Sequence, residues 1–471
     1  MFTGSGRMHS IDAAIIIAYL GVIFVLGWWK RGPRADNEEN FLIAGRKLTL
    51  PAFVASLVST WYGGILGVGE FSYRFGISNW LVFGIPYYLY ALIFAVFLAR
   101  RARQTVVYSV PDQLHRSYGK KAAVVGSIFI FLIALPAPYM LMMGILLQLF
   151  FPMPLWSAVL LASAFSLLYI YRSGLLAVIR TDVVQFLLMF GGFIVLVFAA
   201  YHTYGGLTFL QSRLPESHWQ WHGGNSPQYI FVWYIIAMTT LIDPNFYQRC
   251  YAARTESTAR KGILISILFW IFFDFLTTSA GLYARALLPN LNAPAQSYPE
   301  LAKHLLPPGL LGLFYVALMA TIMSTLDSFF FVAAMTIGRD FWARWRNSEG
   351  QNQATRYTRI GMISTLMLSV ALALMTPSVV DIWYQLGSVA TPALLLPLLT
   401  SFSQRFKMSP QLAVINMIAA GGLSAIWLMG TELIGAPLLG LEPIYPGMLL
   451  SLALYAFRSR RVFFSGEQHL L

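Results

Sequence analysis

Charged residues are scarce in this sequence: Asp, Glu, Lys and Arg make up 11% of its 471 residues, whereas 58% are hydrophobic. A water-soluble surface cannot be covered with so few charges, so the composition excludes a soluble enzyme, a disordered tail and a secreted disulfide scaffold. The single cysteine, Cys250, allows no disulfide within the chain. The sequence therefore predicts an all-α polytopic membrane protein, whose spans of about 20 apolar residues leave no room for a large soluble domain.

Apolar runs between helix breakers predict about thirteen transmembrane helices. The first run could instead be a signal peptide, but its positive charges lie mainly after it and no small-residue cleavage pattern follows, so we expect a helix there. The predicted helices lie near residues 10–28, 49–75, 79–99, 122–150, 154–170, 180–202, 228–247, 262–287, 308–336, 359–376, 379–401, 412–430 and 444–457.

Positive charges are distributed unevenly among the loops. If the first helix runs from outside to inside, the cytoplasmic loops and the tail hold 27 of the 32 Lys and Arg residues. This asymmetry predicts an integral protein of the plasma (inner) membrane with its N-terminus outside and its C-terminus in the cytoplasm. It also explains the net charge of +13 by topology, so we expect no nucleic acid as a partner. The flank of the first helix carries Lys30, Arg31, Arg34, Arg46 and Lys47.

Two predicted spans are interrupted by helix-breaking residues. The second span contains Gly63, Gly64, Gly67 and Gly69, and the seventh contains Asp243 followed by proline. Irregular backbone at mid-membrane persists only where it lines a cavity or binds a polar group. Because the two breaks lie five helices apart, their spans cross in opposite directions, which indicates an inverted-repeat secondary transporter. The alternative is that the glycines only allow close packing and the proline only kinks its helix.

Several carboxylates lie within or at the edge of apolar spans, where an ionised group costs a few kcal/mol unless it is paired or bound to a cation. Arg74 follows Glu70 by four residues, which is the spacing of a helical ion pair, either at the outer rim or in a gate or solute contact. Asp274 is compatible with carrying a proton, with touching the solute, or with a neutral structural role bonded to Thr277 or Thr278. The acids are Glu70, Asp182, Asp243, Asp274, Asp327 and Asp381.

The segment 320–328 contains the most informative polar cluster. Ser324, Thr325, Asp327 and Ser328 place hydroxyl and carboxylate oxygens over about one helical turn, and the carbonyl of Thr321 points to the same face as Ser324. Oxygen ligands without nitrogen or sulfur suit a hard cation rather than a transition metal. Carbonyls freed at the break of the second span would complete the ligand shell. The alternative is that these hydroxyls bond to their own helix and only assist packing.

Three stretches of the chain resemble the sodium:solute symporter family, which includes proline, sugar, sialic acid and choline carriers. They are Phe41–Leu48, Ser173–Gln185 and Ala320–Ser328, with supporting matches at Val110–Leu114 and at Gln248 and Arg249. The resemblance covers almost the whole chain and implies a leucine-transporter-like 5+5 inverted repeat, with one helix before it and two after. The implied organisation is an N-terminal helix and loop (1–48), a first repeat (49–202), a second repeat (228–401) and a peripheral region (412–471).

The resemblance also implies two cation positions. The sodium site would use the carbonyls of Leu57, Thr60 and Thr321 and the hydroxyls of Ser324 and Thr325. The second position, found in some members, would use Asp182, Asp327 and Ser328. This chain departs from the family pattern at Leu175, where a second glycine is usual, and at Arg180, which could pair with an acid and weaken the second position. The motif at 61–64 also resembles the choline-carrier pattern, which places its glycines differently, so two registers remain for Leu57 and Thr60.

These observations predict a secondary active symporter, driven by Na⁺, that imports a small polar organic solute by alternating access. We expect the solute at mid-membrane between the two breaks. Its partners would be that solute and membrane lipid, in a monomer or weak homo-oligomer. The residues predicted to contact or gate the solute are Trp61, Tyr62, Gly63, Gly64, Glu70, Arg74, Asp243 and Asp274, with Tyr384 and Gln385 as weaker candidates.

Three other functions compete with this one. A carrier of the same fold could use H⁺ as its coupling ion, with Asp182, Asp274 or Asp327 as the proton carrier. A channel needs a continuous polar pore, and no predicted helix has a clean polar stripe. A transport-like sensor usually needs a soluble output domain, which the short tail does not provide. No His, Cys or carboxylate cluster has catalytic spacing, so we do not expect an enzyme.

Overall fold

The structure, a computed structural model, describes residues 9–29, 38–347, 353–376, 378–436 and 438–465. Lys30, Arg31 and Arg34 therefore lie outside the described residues. The described part is helical and contains no strand, only an isolated β-bridge between Leu48 and Ala253.

Thirteen apolar helical elements run through the described chain, and the second is split into two halves. They are α1 (Ser10–Trp28), α2a (Leu50–Trp61) and α2b (Ile65–Phe75), α3 (Trp80–Gln104), α4 (Lys120–Phe150), α5 (Leu155–Ser173), α6 (Leu175–Tyr204), α7 (Pro227–Ala252), α8 (Glu256–Leu287), α9 (Leu310–Ala343), α10 (Gln353–Met375), α11 (Val379–Ser401), α12 (Pro410–Ile434) and α13 (Ile444–Ser465). Short helical segments between them are Glu38–Ile43, Ala44–Arg46, Val110–Tyr118, Leu207–Arg213, Glu216–Trp219, Pro294–Gln296, Ser297–Leu305 and Leu438–Gly440.

Each predicted apolar run coincides with one of these elements. Eleven helices in the described part are long and apolar enough to cross a membrane, and the bent pair α2a and α2b adds a twelfth. The apolar part of α13, Ile444–Phe457, is shorter than these spans. The thirteenth crossing therefore stays a prediction.

Both predicted helix breaks are present. The axes of α2a and α2b differ by 60°, and a side chain at Gly63 would place its Cβ 2.3 Å from Thr325 Cβ. Glycine is therefore required for the close approach of α2 to α9. In α7, a 3₁₀ turn (Ala237–Leu241) ends before Asp243, whose side chain accepts a hydrogen bond from the Asn245 N–H at 2.7 Å and caps the second half of the helix.

The most enclosed element is α9. Every residue from Phe314 to Met335 is buried, and the helix packs against α1, α2a, α6 and α10. Peripheral helices instead expose large apolar side chains such as Ile17, Leu187 and Met367, as expected for surfaces that face lipid. The polar cluster of α9 is thus held at the centre of the helix bundle.

Candidate ion and solute site

The hydroxyls of Ser324 and Thr325 in α9 face the break in α2. Ser324 Oγ donates a hydrogen bond to the carbonyl of Ser59 at 2.9 Å, and Thr325 Oγ1 lies 3.3 Å from the same oxygen. Both hydroxyls also contact the carbonyl of Thr321, at 3.0 and 3.4 Å. Four buried oxygens from two helices therefore converge, and this donor set suits a hard cation such as Na⁺.

The α2 carbonyl at this point belongs to Ser59, which is the neighbour of the predicted Thr60. Leu57 is also buried in α2a, whereas the side chain of Thr60 contacts Ser328 Oγ at 2.9 Å. Which carbonyls of α2 would bind an ion stays a prediction.

The second predicted cation position contains a guanidinium. Arg249 of α7 is fully buried, and its Nη2 lies 3.4 Å from Asp182 Oδ2, which is also fully buried. The same Nη2 donates to Ser328 Oγ at 2.5 Å and to Thr60 Oγ1 at 2.9 Å. Its Nε donates to Ser56 Oγ at 3.2 Å, and Ser56 in turn donates to Asp182. The chain itself therefore balances the charge of Asp182.

Other predicted members of this region lie elsewhere. Tyr169 of α5 donates a hydrogen bond to the carboxylate of Asp327, which is therefore directed to α5. Arg180 donates to the carbonyl of Trp29, and the ion-pair partner of Asp182 is Arg249 on α7. Asp381 is exposed at the start of α11, not at mid-membrane.

A cavity of about 540 Å³ lies between the two helix breaks. Trp61, Tyr62 and Gly64 line it from the first break, and Thr239 and Asp243 line it from the second. The structure therefore brings together most of the residues that were predicted to surround the solute. Gly63 and Gln385 are the exceptions, and Gly63 packs against α9.

The mouth of the cavity contains the predicted ion pair. Arg74 Nη2 lies 2.9 Å from Glu70 Oε1, and both side chains line the cavity while remaining partly exposed. Tyr384 lines the same mouth. Gln385 is outside the lining and donates to Glu432 Oε1 at 3.3 Å.

Asp274 lies in the cavity wall, and the hydroxyl of Tyr88 donates to its carboxylate. The two threonines that follow have other partners. Thr277 donates to the backbone carbonyl of Asp274 at 3.3 Å, and Thr278 accepts a hydrogen bond from Asn79 at 3.1 Å. The carboxyl group of Asp274 therefore bonds to Tyr88, and the predicted structural role in which it bonds to Thr277 or Thr278 is not observed.

Sequence reasoning missed most of the aromatic wall of this cavity. Thirteen of its 29 lining residues are aromatic, and they include Tyr87, Tyr88, Tyr139 and Trp383. These rings come from α3, α4 and α11, where no local motif distinguishes a cavity-facing ring from one in the core. One feature of the sequence could have indicated a ring packed at the first break, namely the glycine at position 64. A Cβ on Gly64 would lie 2.2 Å from the Trp383 ring.

The segments that precede α2 and follow α7 contact each other away from the cavity lining. The Leu48 N–H donates to the Ala252 carbonyl at 3.0 Å, and the Arg254 N–H donates to the Leu48 carbonyl at 3.0 Å. Arg46 Nη1 reinforces this contact by donating to the Tyr251 carbonyl at 3.2 Å. The cavity lining reaches Phe75 at the end of α2b, Tyr229 near the start of α7 and Ser378 before α11, and the charge distribution predicts that these helix ends lie outside.

A model of the sodium:solute symporter family matches residues 41–419. The chain therefore belongs to the sodium:solute symporter family. Its curated relatives include the sodium/pantothenate symporter of Escherichia coli, 25% identical over 94% of this chain and 95% of the relative. The sodium/glucose cotransporter of Vibrio parahaemolyticus is 23% identical over 77% and 74%. The high-affinity choline transporter 1 of Drosophila melanogaster is 25% identical over 79% and 63%.

Solved structures establish the fold. A substrate-bound, outward-open Na⁺-coupled sialic acid symporter matches with a TM-score of 0.74 at 16% identity, over 95% of this chain and 96% of that one. A nucleobase-cation-symport-1 family transporter in a closed conformation matches with a TM-score of 0.61 at 12% identity, over 91% and 96%. The predicted leucine-transporter-like fold is confirmed.

Family membership makes the chain an integral membrane protein of a transporter family, and its relatives are sodium-coupled carriers of small solutes. These comparisons favour Na⁺ as the coupling ion and give no support to the proton-coupled alternative. They also favour a carrier over an enzyme.

Proposed function

We propose that this protein is a sodium-coupled symporter of the plasma membrane that imports a small polar organic solute by alternating access. The observation that carries the proposal is the convergence of Ser324 and Thr325 on the broken helix α2, beside a cavity of about 540 Å³ between the two helix breaks. The N-terminus would lie outside, and the moving units would be the repeats 49–202 and 228–401.

Sodium bound at the Ser324 and Thr325 oxygens would tie α9 to α2. The residues that follow the coordinating carbonyl in α2, Trp61 and Tyr62, line the solute cavity. Ion binding would therefore order the wall that binds solute and would raise solute affinity in the outward-facing state. Such coupling is reciprocal, so solute should raise the affinity for sodium by the same factor. The membrane potential would add about 2.3 kcal/mol per charge per 100 mV to the driving force.

We further propose that one sodium ion accompanies each solute. A second ion at Asp182 would lie beside the buried guanidinium of Arg249. Two positive charges about 4 Å apart repel each other by about 4 kcal/mol at an effective dielectric constant near 20. The second position would therefore contribute a fixed charge of the protein and not a transported one.

Thermal stability of the purified protein in sodium, against equimolar potassium, tests this proposal. A ligand that binds only the folded state stabilises it by RT ln(1 + [L]/Kd), so sodium at about ten times its Kd should add roughly 1.4 kcal/mol. We expect Ser324→Ala to lose this shift. Thr336→Ala is the matched control, since it removes a hydroxyl of α9 that only bonds to the Val332 carbonyl of its own helix.

A sodium shift of equal size in wild type and Ser324→Ala would contradict the assigned site. The absence of any sodium shift, together with pH-dependent and sodium-independent uptake, would replace the proposal with a proton-coupled carrier.

A further inference from the structure

The charges along the wall of the solute cavity are unbalanced. Glu70, Asp243 and Asp274 line it, whereas Arg74 is the one basic residue among the described lining residues. Arg74 lies 2.9 Å from Glu70, so these two charges cancel at the mouth. The deeper wall keeps two carboxyl groups, Asp243 and Asp274, and no basic side chain among the described lining residues.

Neither deep carboxylate forms an ion pair within the part of the chain that the structure describes. Asp274 accepts a hydrogen bond from Tyr88, and Asp243 accepts one from the Asn245 N–H. The buried guanidinium of Arg249 pairs with Asp182 of the second cation position and also interacts electrostatically with Asp243, so Asp274 is the carboxyl group to which we assign the solute. Because an ionised carboxylate at membrane depth is costly without a cation, a positive group on the solute would stabilise this wall.

The aromatic rings of the wall favour the same kind of solute. Thirteen of the 29 described lining residues are aromatic, and Trp61, Tyr87, Tyr139 and Trp383 are among the rings that line the cavity. The faces of such rings attract cations, and quaternary ammonium groups are recognised in this way by aromatic cages. An apolar aromatic enclosure also suits a weakly hydrated organic cation better than a metal ion.

Other solute classes fit this wall less well. None of the described lining residues is Asn, Gln, His or Lys, so the side-chain amides and amines that would bind a polyol or an acid are lacking. An anionic solute would face two carboxylates. The helix N-terminus at the break of α7, which could otherwise bind a carboxylate, is already capped by Asp243.

We infer that the transported solute is a small organic cation, a protonated or quaternary amine whose positive group binds where Asp274, Tyr88 and Trp61 border the cavity. The inference rests on the proposed function of this cavity as the solute site. With one sodium ion, such a solute would bring two positive charges inward in each cycle.

Two probes of the same shape test the charge directly. Choline and 3,3-dimethylbutan-1-ol differ only in having a positive nitrogen or a neutral carbon at the branched centre. We expect choline to bind the wild-type protein in sodium at least about tenfold more tightly than the alcohol, as measured by thermal-shift titration. Equal binding of the two probes, or tighter binding of pantothenate or glucose, would overturn the inference.

A substitution tests the assigned carboxylate. Asp274→Asn should weaken choline binding about tenfold or more and leave binding of the neutral alcohol unchanged. Asp381→Asn is the matched control, because it removes an exposed carboxylate outside the cavity lining. If Asp274→Asn does not fold, the comparison of choline with the neutral alcohol on the wild-type protein still tests whether the solute is a cation.

The two measurements distinguish a wrong class of solute from a wrong transport mechanism. A sodium shift without preferential binding of choline would leave the symporter proposal intact and reject the cationic solute. No sodium shift in potassium-matched buffer would reject the symporter proposal itself. Potassium is the reference cation here, because choline would compete for the cavity.

Discussion

The two cation positions predicted on α9 lie within two turns of each other and differ in charge. At Ser324 and Thr325, the described oxygens are neutral hydroxyls and carbonyls. At Ser328, the structure places a carboxylate, Asp182, together with a guanidinium, Arg249. A neutral oxygen cluster can bind and release a cation in every transport cycle. The charge of a side chain such as Arg249 is part of the protein and is not released with the solute. We therefore propose that similar polar residues on one helix bind a transported ion at one position and contact a fixed charge of the protein at the other.

The difference also shows why a carboxylate alone is a poor guide to an ion site in a membrane. The charge of Asp182 attracts a cation, but burial makes that charge costly until a partner neutralises it. Helix α7 supplies the partner, Arg249, six residues after Asp243 at the second helix break. The neutral hydroxyls of Ser324 and Thr325 remain as the proposed ion ligands.

The largest expected effect comes from removing the fixed cation. Arg249→Gln leaves the buried charge of Asp182 without its partner, so we expect a loss of about 3–5 kcal/mol in the free energy of unfolding. The double variant Asp182→Asn with Arg249→Gln should recover most of this loss, as measured by thermal or denaturant unfolding.

The stabilisation of the Arg249→Gln protein by sodium tests whether the second position can bind an ion. If sodium stabilises this variant more than wild type, the second position has become an ion site once the guanidinium is gone. An additive loss in the double variant would contradict the pairing of the two residues.

The next effect concerns the contact between α2 and α9. Gly63→Ala would place a Cβ 2.3 Å from that of Thr325, and overpacking of this kind typically costs about 1–3 kcal/mol. We expect sodium stabilisation to fall together with stability, because the oxygens of α9 and α2 would be separated. Gly191→Ala in α6, which has open space at this point, should leave both unchanged; an equal loss there would show that the effect is not local.

A smaller effect is expected at the hydroxyl of Thr325. Thr325→Val keeps the shape of the side chain and removes the oxygen, so sodium at ten times the wild-type Kd should lose most of its roughly 1.4 kcal/mol of stabilisation. Ser328→Ala should retain the sodium shift, because this hydroxyl belongs to the guanidinium position. The reverse pattern would exchange the assignments of the two positions.

The smallest effect is expected from a buried acid outside the membrane-spanning segments. Burial by itself raises the pKa of Asp112, but Arg339 and Arg344, at 3.0 and 2.5 Å, outweigh it and lower the pKa from 3.8 to about 2. A lowered pKa stabilises the fold fully above the unfolded value and loses this stabilisation only as the pH falls through about 2. The destabilisation caused by Asp112→Asn should therefore be the same at pH 8 and pH 9. A difference between the two pH values would show that this ion pair titrates in the working range.

The sequence by itself determined the helical architecture, the two broken spans and the oxygen cluster of α9. These features follow from local properties: the length of apolar runs, the tolerance of glycine for close approach at Gly63, the lack of an N–H at Pro244, and the one-turn spacing of Ser324 and Ser328. The family resemblance added the expectation that α9 meets the broken helix α2, and the structure shows this contact at Ser59.

Only the tertiary structure decided which charges meet. Asp182 pairs with Arg249 and not with its neighbour Arg180, because the neighbour lies on another face of α6 and the bundle buries α7 against the acid. The aromatic wall was hidden for the same reason, since α3, α4 and α11 place their rings in the cavity only when they pack around the breaks. The local sequence pattern determines which helix and which helix face a residue occupies. The charge or ring that contacts it belongs to a distant part of the chain, so no short spacing in the sequence predicts the contact.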